Sequence, residues 1–180
     1  MGSNSLQEFK DNLKKQMQKE IDNVSKMHLK KDLLDQLDKS YTLQPPKGLI
    51  NHEFEHIWNT FLENKKNGKI DPEDKNKKEE DLKKEYTKIA TRRVKLGLVL
   101  AEIGEKNNVS VGEDDIKKAI EEEIMRQPDE KDKILAFYRN NSEALAALKA
   151  PILEEKVVNH ILGSVGVHEK KISRKELFKK

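Results

Sequence analysis

The segment HEFEH, at residues 52–56, has the clearest chemical meaning in this sequence because it matches the H-E-x-x-H signature of zinc proteases. In those enzymes two histidines on one helical turn bind zinc, and the glutamate is the general base. A third protein ligand and an open coordination position complete such a site. At about 100° of rotation per helical residue, however, His52 and His56 point away from the apolar stripe that contains Phe54 and Ile57. The sequence therefore predicts two solvent-exposed histidines and no metal site, with a HEFEH metalloprotease as the alternative.

Other catalytic patterns are absent from the sequence. It has no G-x-S-x-G nucleophile motif, no phosphate-binding glycine loop and no cysteine. Neighbouring carboxylates do occur, at Asp114–Asp115 and Glu121–Glu123, but such runs are common on solvated helix faces. We therefore expect no catalytic residue, no bound metal, no cofactor and no enzymatic activity.

The composition indicates an extended helical protein. Only 34% of the 180 residues are hydrophobic, 38% are charged and the mean hydropathy is -0.90. Compact domains usually contain about 45–50% apolar residues, so much of the helix surface must lie in water. The 36 basic and 33 acidic residues are interspersed, which is typical of solvated helices and predicts neither nucleic acid nor a membrane as a partner.

The most apolar stretch, RRVKLGLVLAEI at residues 92–103, is the expected centre of the fold. Apolar side chains fall on nearly every side of this helix, and such helices are usually buried. The stretch is too short to span a bilayer, which needs roughly 20 apolar residues. We expect Gly97 within it to allow the close approach of another helix.

Apolar periodicity, caps and prolines predict an all-α, elongated domain with a long central helix and arm-like projections. Residues 41–48, which contain two prolines, are expected to be non-helical, and the charged link 64–76 to be mobile. Pro151 is expected either to kink the sixth helix or to begin a new one. The predicted helices cover about 5–39, 51–64, 77–106, 113–127, 130–140 and 142–163, with at most one short helix in the tail.

Three blocks of the second half resemble the C-terminal domain of bacterial trigger factor, the ribosome-associated chaperone. They are ATRRVKLGLVLAEIGEKNNVSV (90–111), FYRNN (137–141) and LKAPILEEKVVNHILGSVGVHEKKIS (148–173), in the same order and spacing. The resemblance is specific over 90–180 and weaker over 5–66. It implies an all-helical body with two projecting arms that cradles unfolded chains.

The resemblance also sets the expected domain organisation. We expect residues 1–4 to be a cloning remnant and residues 5–180 to form one chaperone domain of this kind. In the whole protein a ribosome-docking domain and a prolyl-isomerase domain are implied to precede it. Ribosome contact and isomerase activity are therefore expected only through those missing parts. A cytoplasmic location and a link to cell division are implied as well.

The expected activity is binding of unfolded or nascent polypeptides without ATP. Residues on a helix that are adjacent in sequence point about 100° apart, so Phe137 and Tyr138 cannot both lie in one narrow core stripe. This predicts that Ile134 and one of the two aromatic rings are exposed. The residues expected to contact the bound chain are those of the family's second arm, Ile124, Met125, Ile134, Phe137 and Tyr138, followed by Ile57 and Phe61 of the second helix.

Two further hypotheses fit the same pattern of helices. One is a structural helical scaffold that binds a folded partner. The other is the related fold of periplasmic outer-membrane chaperones, which would require a secretion signal. Self-association is left open by the sequence.

Overall fold

The computed structural model describes residues 5–178, and that part of the chain contains seven α-helices and no strand. The all-α prediction is confirmed, whereas the expected cloning remnant at residues 1–4 lies outside the described residues. A single 3-10 turn, Pro128–Glu130, precedes the fifth helix. The helices are α1 (Leu6–Ser40), α2 (Lys47–Lys66), α3 (Glu79–Lys106), α4 (Glu113–Arg126), α5 (Lys131–Asn140), α6 (Ser142–Ser164) and α7 (Arg174–Leu177).

The molecule is extended, as the composition predicts. Its accessible surface is 14705 Å² for a mass of 20.9 kDa. A compact monomer of that mass would expose about 9000 Å², so this chain exposes roughly 1.6 times as much. Most apolar side chains are therefore only partly buried, and the fully buried core is small.

That core lies in the body, where α1, α3 and α6 meet. Its buried centre is formed by Leu100 of α3 with Val157 and Val158 of α6. Partly buried side chains surround this centre from all three helices and from the link after α3; they are Leu33, Leu34, Leu37, Ile103, Val109, Leu153, Ile161 and Leu162.

At Gly104 the backbone of α3 packs tightly against α6. A β-carbon added there would lie 3.0 Å from Val157 Cγ2, and Val157 itself is fully buried. A β-carbon added at Gly97, by contrast, would have no heavy atom within 4 Å apart from the neighbouring backbone of its own helix. The expectation for Gly97 was therefore wrong, because the position that needs glycine lies two turns further along the same helix.

Charged pairs fix α1 against α3 beside this core. Arg92 binds Asp35 and also Asp38, whose carboxylate lies 3.4 Å from its Nε. Lys95 Nζ lies 2.9 Å from Asp38 Oδ1 and donates to the Asp38 carbonyl as well. The Lys95 side chain is only 17% exposed, so this pair is screened less than the neighbouring pairs of Arg92, whose side chain is 43% exposed.

Two projections leave the body. The first arm is the antiparallel pair formed by α2 and the first half of α3, together with the link between them. The second arm is formed by α4 and α5, which pack on each other and on α6. Lys156 of α6 holds α4 through a 2.6 Å ion pair with Asp115.

The short α7 returns to α1, where the Leu177 carbonyl accepts a hydrogen bond from His28 Nε2 at 2.9 Å.

Helix boundaries agree with the sequence except around prolines. Ser5 caps α1 as predicted, since its Oγ accepts a hydrogen bond from the Glu8 N–H at 3.1 Å. The second helix begins at Lys47 rather than near Asn51, because Pro46 has an extended ψ of 133° and the chain can turn helical directly after it. Pro151 lies inside a continuous α6, so it does not begin a new helix.

The two glycines of α3 give a matched test of this packing. We expect Gly104→Leu to lower the free energy of unfolding by about 1–3 kcal/mol, because the added side chain must displace Val157. Gly97→Leu should leave it unchanged or raise it by up to about 1 kcal/mol, because leucine favours helix and the site is open. Urea unfolding followed by circular dichroism measures both. Equal stability of the two variants would contradict the assigned packing.

Candidate functional site

An aromatic cluster stabilises the first arm. Trp58 of α2 stacks on Phe54 and Phe61, with ring centroids 5.9 and 5.1 Å apart. Tyr86 of α3 closes the cluster against Phe61 at 5.3 Å. Phe61 is only 8% exposed and Ile57 is half-buried. Of the two sequence-predicted residues on this arm, Ile57 therefore offers surface to a partner and Phe61 supports the arm from inside.

A polar network ties the link of the first arm to α3. The Tyr86 hydroxyl donates to Asp74 Oδ2 at 3.0 Å, and Lys77 Nζ lies 3.1 Å from Asp74 and 2.6 Å from Glu85. The hydrogen bond from Lys77 holds the pKa of Asp74 below its usual value. Burial, followed by the bond to Asp74, raises the pKa of Tyr86 to about 12. The link expected to be mobile is thus held by hydrogen bonds in its second half.

The second arm presents a smaller apolar surface than the sequence suggests. Ile134 is only 7% exposed, so the expectation that it faces solvent was wrong. Tyr138 is half-buried, and its hydroxyl donates to Glu123 Oε2 at 2.7 Å, which raises its pKa. Phe137, which meets the Tyr138 ring edge-on, is 53% exposed and Met125 is 73% exposed. The prediction that one of the two adjacent rings is exposed is confirmed, and Phe137 is that ring.

The seven predicted residues fall into two separate groups. Ile57 and Phe61 belong to the first arm, and the other five belong to the second arm. Of these five, Ile124 is half-buried beside the exposed Met125. The structure does not bring the two groups into one cavity. Any binding through them would therefore join separate points on the partner chain.

The HEFEH histidines face solvent on α2, as the helical-wheel argument predicts. His52 and His56 are both exposed, and within residues 5–178 no cluster of three His, Asp or Glu side chains could hold a metal ion. Glu53, the general base of the protease alternative, instead binds Arg93 Nη1 at 3.1 Å. The arrangement therefore lacks both the third ligand and a free base.

The body also contains a groove that was not predicted from the sequence. It has a volume of about 650 Å³ and runs between α1, α2, α3 and α6. One face of the central helix lines it, and on that face Gly97 is exposed and Ile89 is 42% exposed. The sequence shows apolar side chains on nearly every side of this helix, which predicts burial and gives no signal for the side that is left uncovered.

The first half of α1 carries a second uncovered stripe. Its apolar residues recur at helical spacing but make no core, and their exposure falls from 70% at Leu6 to 38% at Met17. Lysines 10 and 14 flank the stripe. No helix in the described part of the chain is long and apolar enough to cross a bilayer.

Comparison with known proteins gives a consistent result. The family model for the C-terminus of the bacterial trigger factor protein matches residues 5–163. The trigger factors of Rhodospirillum centenum and Maricaulis maris are each 40% identical over 178 residues, which is 99% of this chain. That of Rhodopseudomonas palustris strain CGA009 is 43% identical over 180 residues. The chain spans 40%, 34% and 40% of the length of these three relatives, respectively.

The Tyr86–Asp74 bond predicts how the first arm responds to alkaline pH. Because the pKa of Tyr86 is raised from 10.0 to about 12, its contribution to stability is complete below pH 10 and is lost as the pH rises through 12. We expect Tyr86→Phe to remove the phenol that ionises last in an ultraviolet absorbance titration. Loss of the hydrogen bond should also lower the free energy of unfolding by about 1 kcal/mol.

Tyr138→Phe is the matched control, since its phenol is bonded to Glu123 in the other arm. That variant should leave the transition near pH 12 in place. If the last phenol transition is still seen in Tyr86→Phe and is lost in Tyr138→Phe, its assignment to Tyr86 is wrong.

Proposed function

Because the chain belongs to the family of bacterial trigger factor C-terminal domains, we propose that it is an ATP-independent chaperone domain for unfolded or nascent polypeptides, hereafter clients. The family match over residues 5–163 supports this class of function. The observation that carries the proposal is the set of large apolar side chains left exposed on separate projections. Met125 and Phe137 on the second arm are the most accessible members of the predicted set.

Separated small patches suit the binding of unfolded chains. Burying one apolar side chain is worth about 1.5–3 kcal/mol, and ordering of the flexible partner consumes much of that gain. One patch alone therefore binds weakly and releases its client quickly. Several patches on one client raise the effective concentration at each site, which gives useful affinity without permanent capture.

The side chains on the second arm fit this role chemically. Met125 is unbranched and polarizable, so it can pack against partner groups of different shapes. Phe137 adds a flat ring whose edge contact with Tyr138 keeps it in place. Ile124 of the second arm and Ile57 of the first arm are half-buried, so each adds less area. Ile134 and the hydrogen-bonded Tyr138 support the second arm from within, and Phe61 does the same in the first arm.

The remaining partner assignments follow from the family. We assign ribosome docking and prolyl isomerisation to parts of the whole protein outside this chain, and we place the domain in the cytoplasm. A rigid scaffold for one folded partner is the competing function. It would require one continuous complementary surface, whereas the exposed apolar side chains here lie on both arms and on α1.

Suppression of aggregation tests the proposal. We expect the chain, without nucleotide, to slow the light-scattering increase of a chemically denatured enzyme diluted from guanidinium. Met125→Ser with Phe137→Ser should raise the concentration needed for half suppression by about tenfold, because about 1.4 kcal/mol of binding energy corresponds to that factor. Helical content and melting should stay nearly unchanged, since both side chains are largely exposed.

A second double variant, Gln127→Ser with Asn140→Ser, is the control at the ends of the same two helices, since Gln127 directly follows α4 and Asn140 is the last residue of α5. Both residues are exposed and uncharged, so suppression should match the wild-type chain. Absence of suppression by the wild-type chain at several-fold molar excess would overturn the chaperone proposal. Equal activity of the two double variants would instead exclude the second arm as a client surface.

A further inference from the structure

Two imidazoles share one exposed turn of α2, and the proposed chaperone function makes no use of them. His52 and His56 are four residues apart within the continuous helix Lys47–Lys66, and both are exposed. Residues at this spacing lie on one helix face, with their β-carbons about 5–6 Å apart. Because a bond between zinc and an imidazole nitrogen is about 2.0–2.1 Å long, both rings can reach a single ion.

The helical turn that carries the two rings is held from its other side. Phe54 and Trp58 stack with ring centroids 5.9 Å apart, and Trp58 also meets Tyr86 of α3 at 5.9 Å. Glu53 binds Arg93 of α3 at 3.1 Å. The backbone is therefore ordered before any ligand arrives, so binding costs mainly the rotational freedom of two side chains.

Both rings are also free to coordinate. Within residues 5–178 neither of them makes a hydrogen bond or an ion pair, whereas His28 is already bonded to the Leu177 carbonyl. A neutral imidazole has one nitrogen that can act as an acceptor or a metal ligand. The remaining exposed histidines are His160 of α6 and His168 in the link beyond it, which do not share a helical turn. The pair on α2 is thus the chelating arrangement among the described histidines.

The surroundings of the pair define the kind of ion. Glu55, which lies between the two histidines in sequence, is exposed and has no ion pair within the described residues, so its charge attracts a cation. No third His, Asp or Glu in that part of the chain completes a closed metal site. Water would fill the other positions, and imidazole ligands suit Cu²⁺, Ni²⁺ and Zn²⁺ rather than Mg²⁺ or Ca²⁺.

We propose that His52 and His56 form an open, exchangeable site for a divalent transition-metal cation that prefers nitrogen ligands. The sequence argument against a metal concerned a closed protease centre, which needs a third protein ligand and a free general base. An open pair needs only helical spacing and exposure, and the structure has both. The site carries no catalysis, and it is independent of the proposed chaperone function. Coordination by both rings links two neighbouring turns of α2 and so stabilises the folded first arm.

Calorimetric titration of the chain, without an affinity tag, with NiCl₂ in a buffer that does not bind metal tests the site. We expect a single Ni²⁺ per chain at the tightest step. His52→Gln and His56→Gln should each weaken that step by about tenfold or more, because the second ligand of a chelate acts at a high effective concentration. Two independent imidazoles would instead each keep their own affinity.

Two double variants are matched controls. His160→Gln with His168→Gln also removes two exposed histidines, and it should keep the wild-type affinity. His56→Gln with Asn59→His keeps two histidines on the same exposed face but places them seven residues apart, about 10 Å along the helix axis. That variant should bind Ni²⁺ as weakly as His56→Gln does. Circular dichroism checks that each variant retains its helices.

Amide NMR locates the ion. Substoichiometric Cu²⁺ should broaden signals of residues 50–58 first, because paramagnetic broadening falls off steeply with distance. Broadening centred on His160, His168 or the carboxylates at 121–123 would overturn the site, and so would unchanged Ni²⁺ affinity in His52→Gln. Absence of binding up to about 1 mM Ni²⁺ would overturn it as well.

The stoichiometry separates this site from a shared one. Half an equivalent of Ni²⁺ per chain, with a doubling of the mass in solution, would mean that the ion bridges two copies, which contradicts the single-chain site. None of these results bears on the chaperone proposal, since suppression of aggregation is measured without added metal.

Discussion

The contact between Gly104 and Val157 is the constraint on which the rest of the structure depends. With 34% hydrophobic residues, the chain can build only one substantial core, and that core forms where α1, α3 and α6 meet. The absence of a side chain at Gly104 lets Val157 lie flush against α3, where it becomes fully buried. Leu100 and the leucines of α1 complete the packing. Both arms are attached to these two helices, since α3 continues into the first arm and α6 packs against α4 and α5 of the second.

Away from this core, each arm is stabilised by local contacts rather than by a second large apolar core. The first arm uses stacked aromatic rings and the Tyr86–Asp74–Lys77 network. The second arm uses Ile134 and the bond from Tyr138 to Glu123. These small clusters bury only the side chains that stabilise the arms themselves. They leave Met125 and Phe137 available, and this availability underlies the proposed chaperone function.

Helix positions could be predicted from the sequence because local rules decide them. Ser5 caps the first helix and apolar residues recur at helical spacing, so the α1 boundary needed no tertiary information. Burial was harder to predict. Ile134 and Phe137 differ by three residues on one short helix, and only the neighbouring α4 and α6 determine which of them is covered. The close helix contact was assigned to Gly97 instead of Gly104 for the same reason, because both lie on α3 and a partner helix meets only Gly104.

The central claim is that a client binds at several separate apolar surfaces of a body that stays folded. Methyl-resolved NMR of the chain, titrated with a permanently unfolded reduced and alkylated protein, tests it most directly. The account predicts shift changes for Met125 of the second arm and for Ile57 of the first arm, with Val157 and Leu100 in the core unchanged. Changes confined to a single surface, or broadening that spreads through Val157, would contradict it.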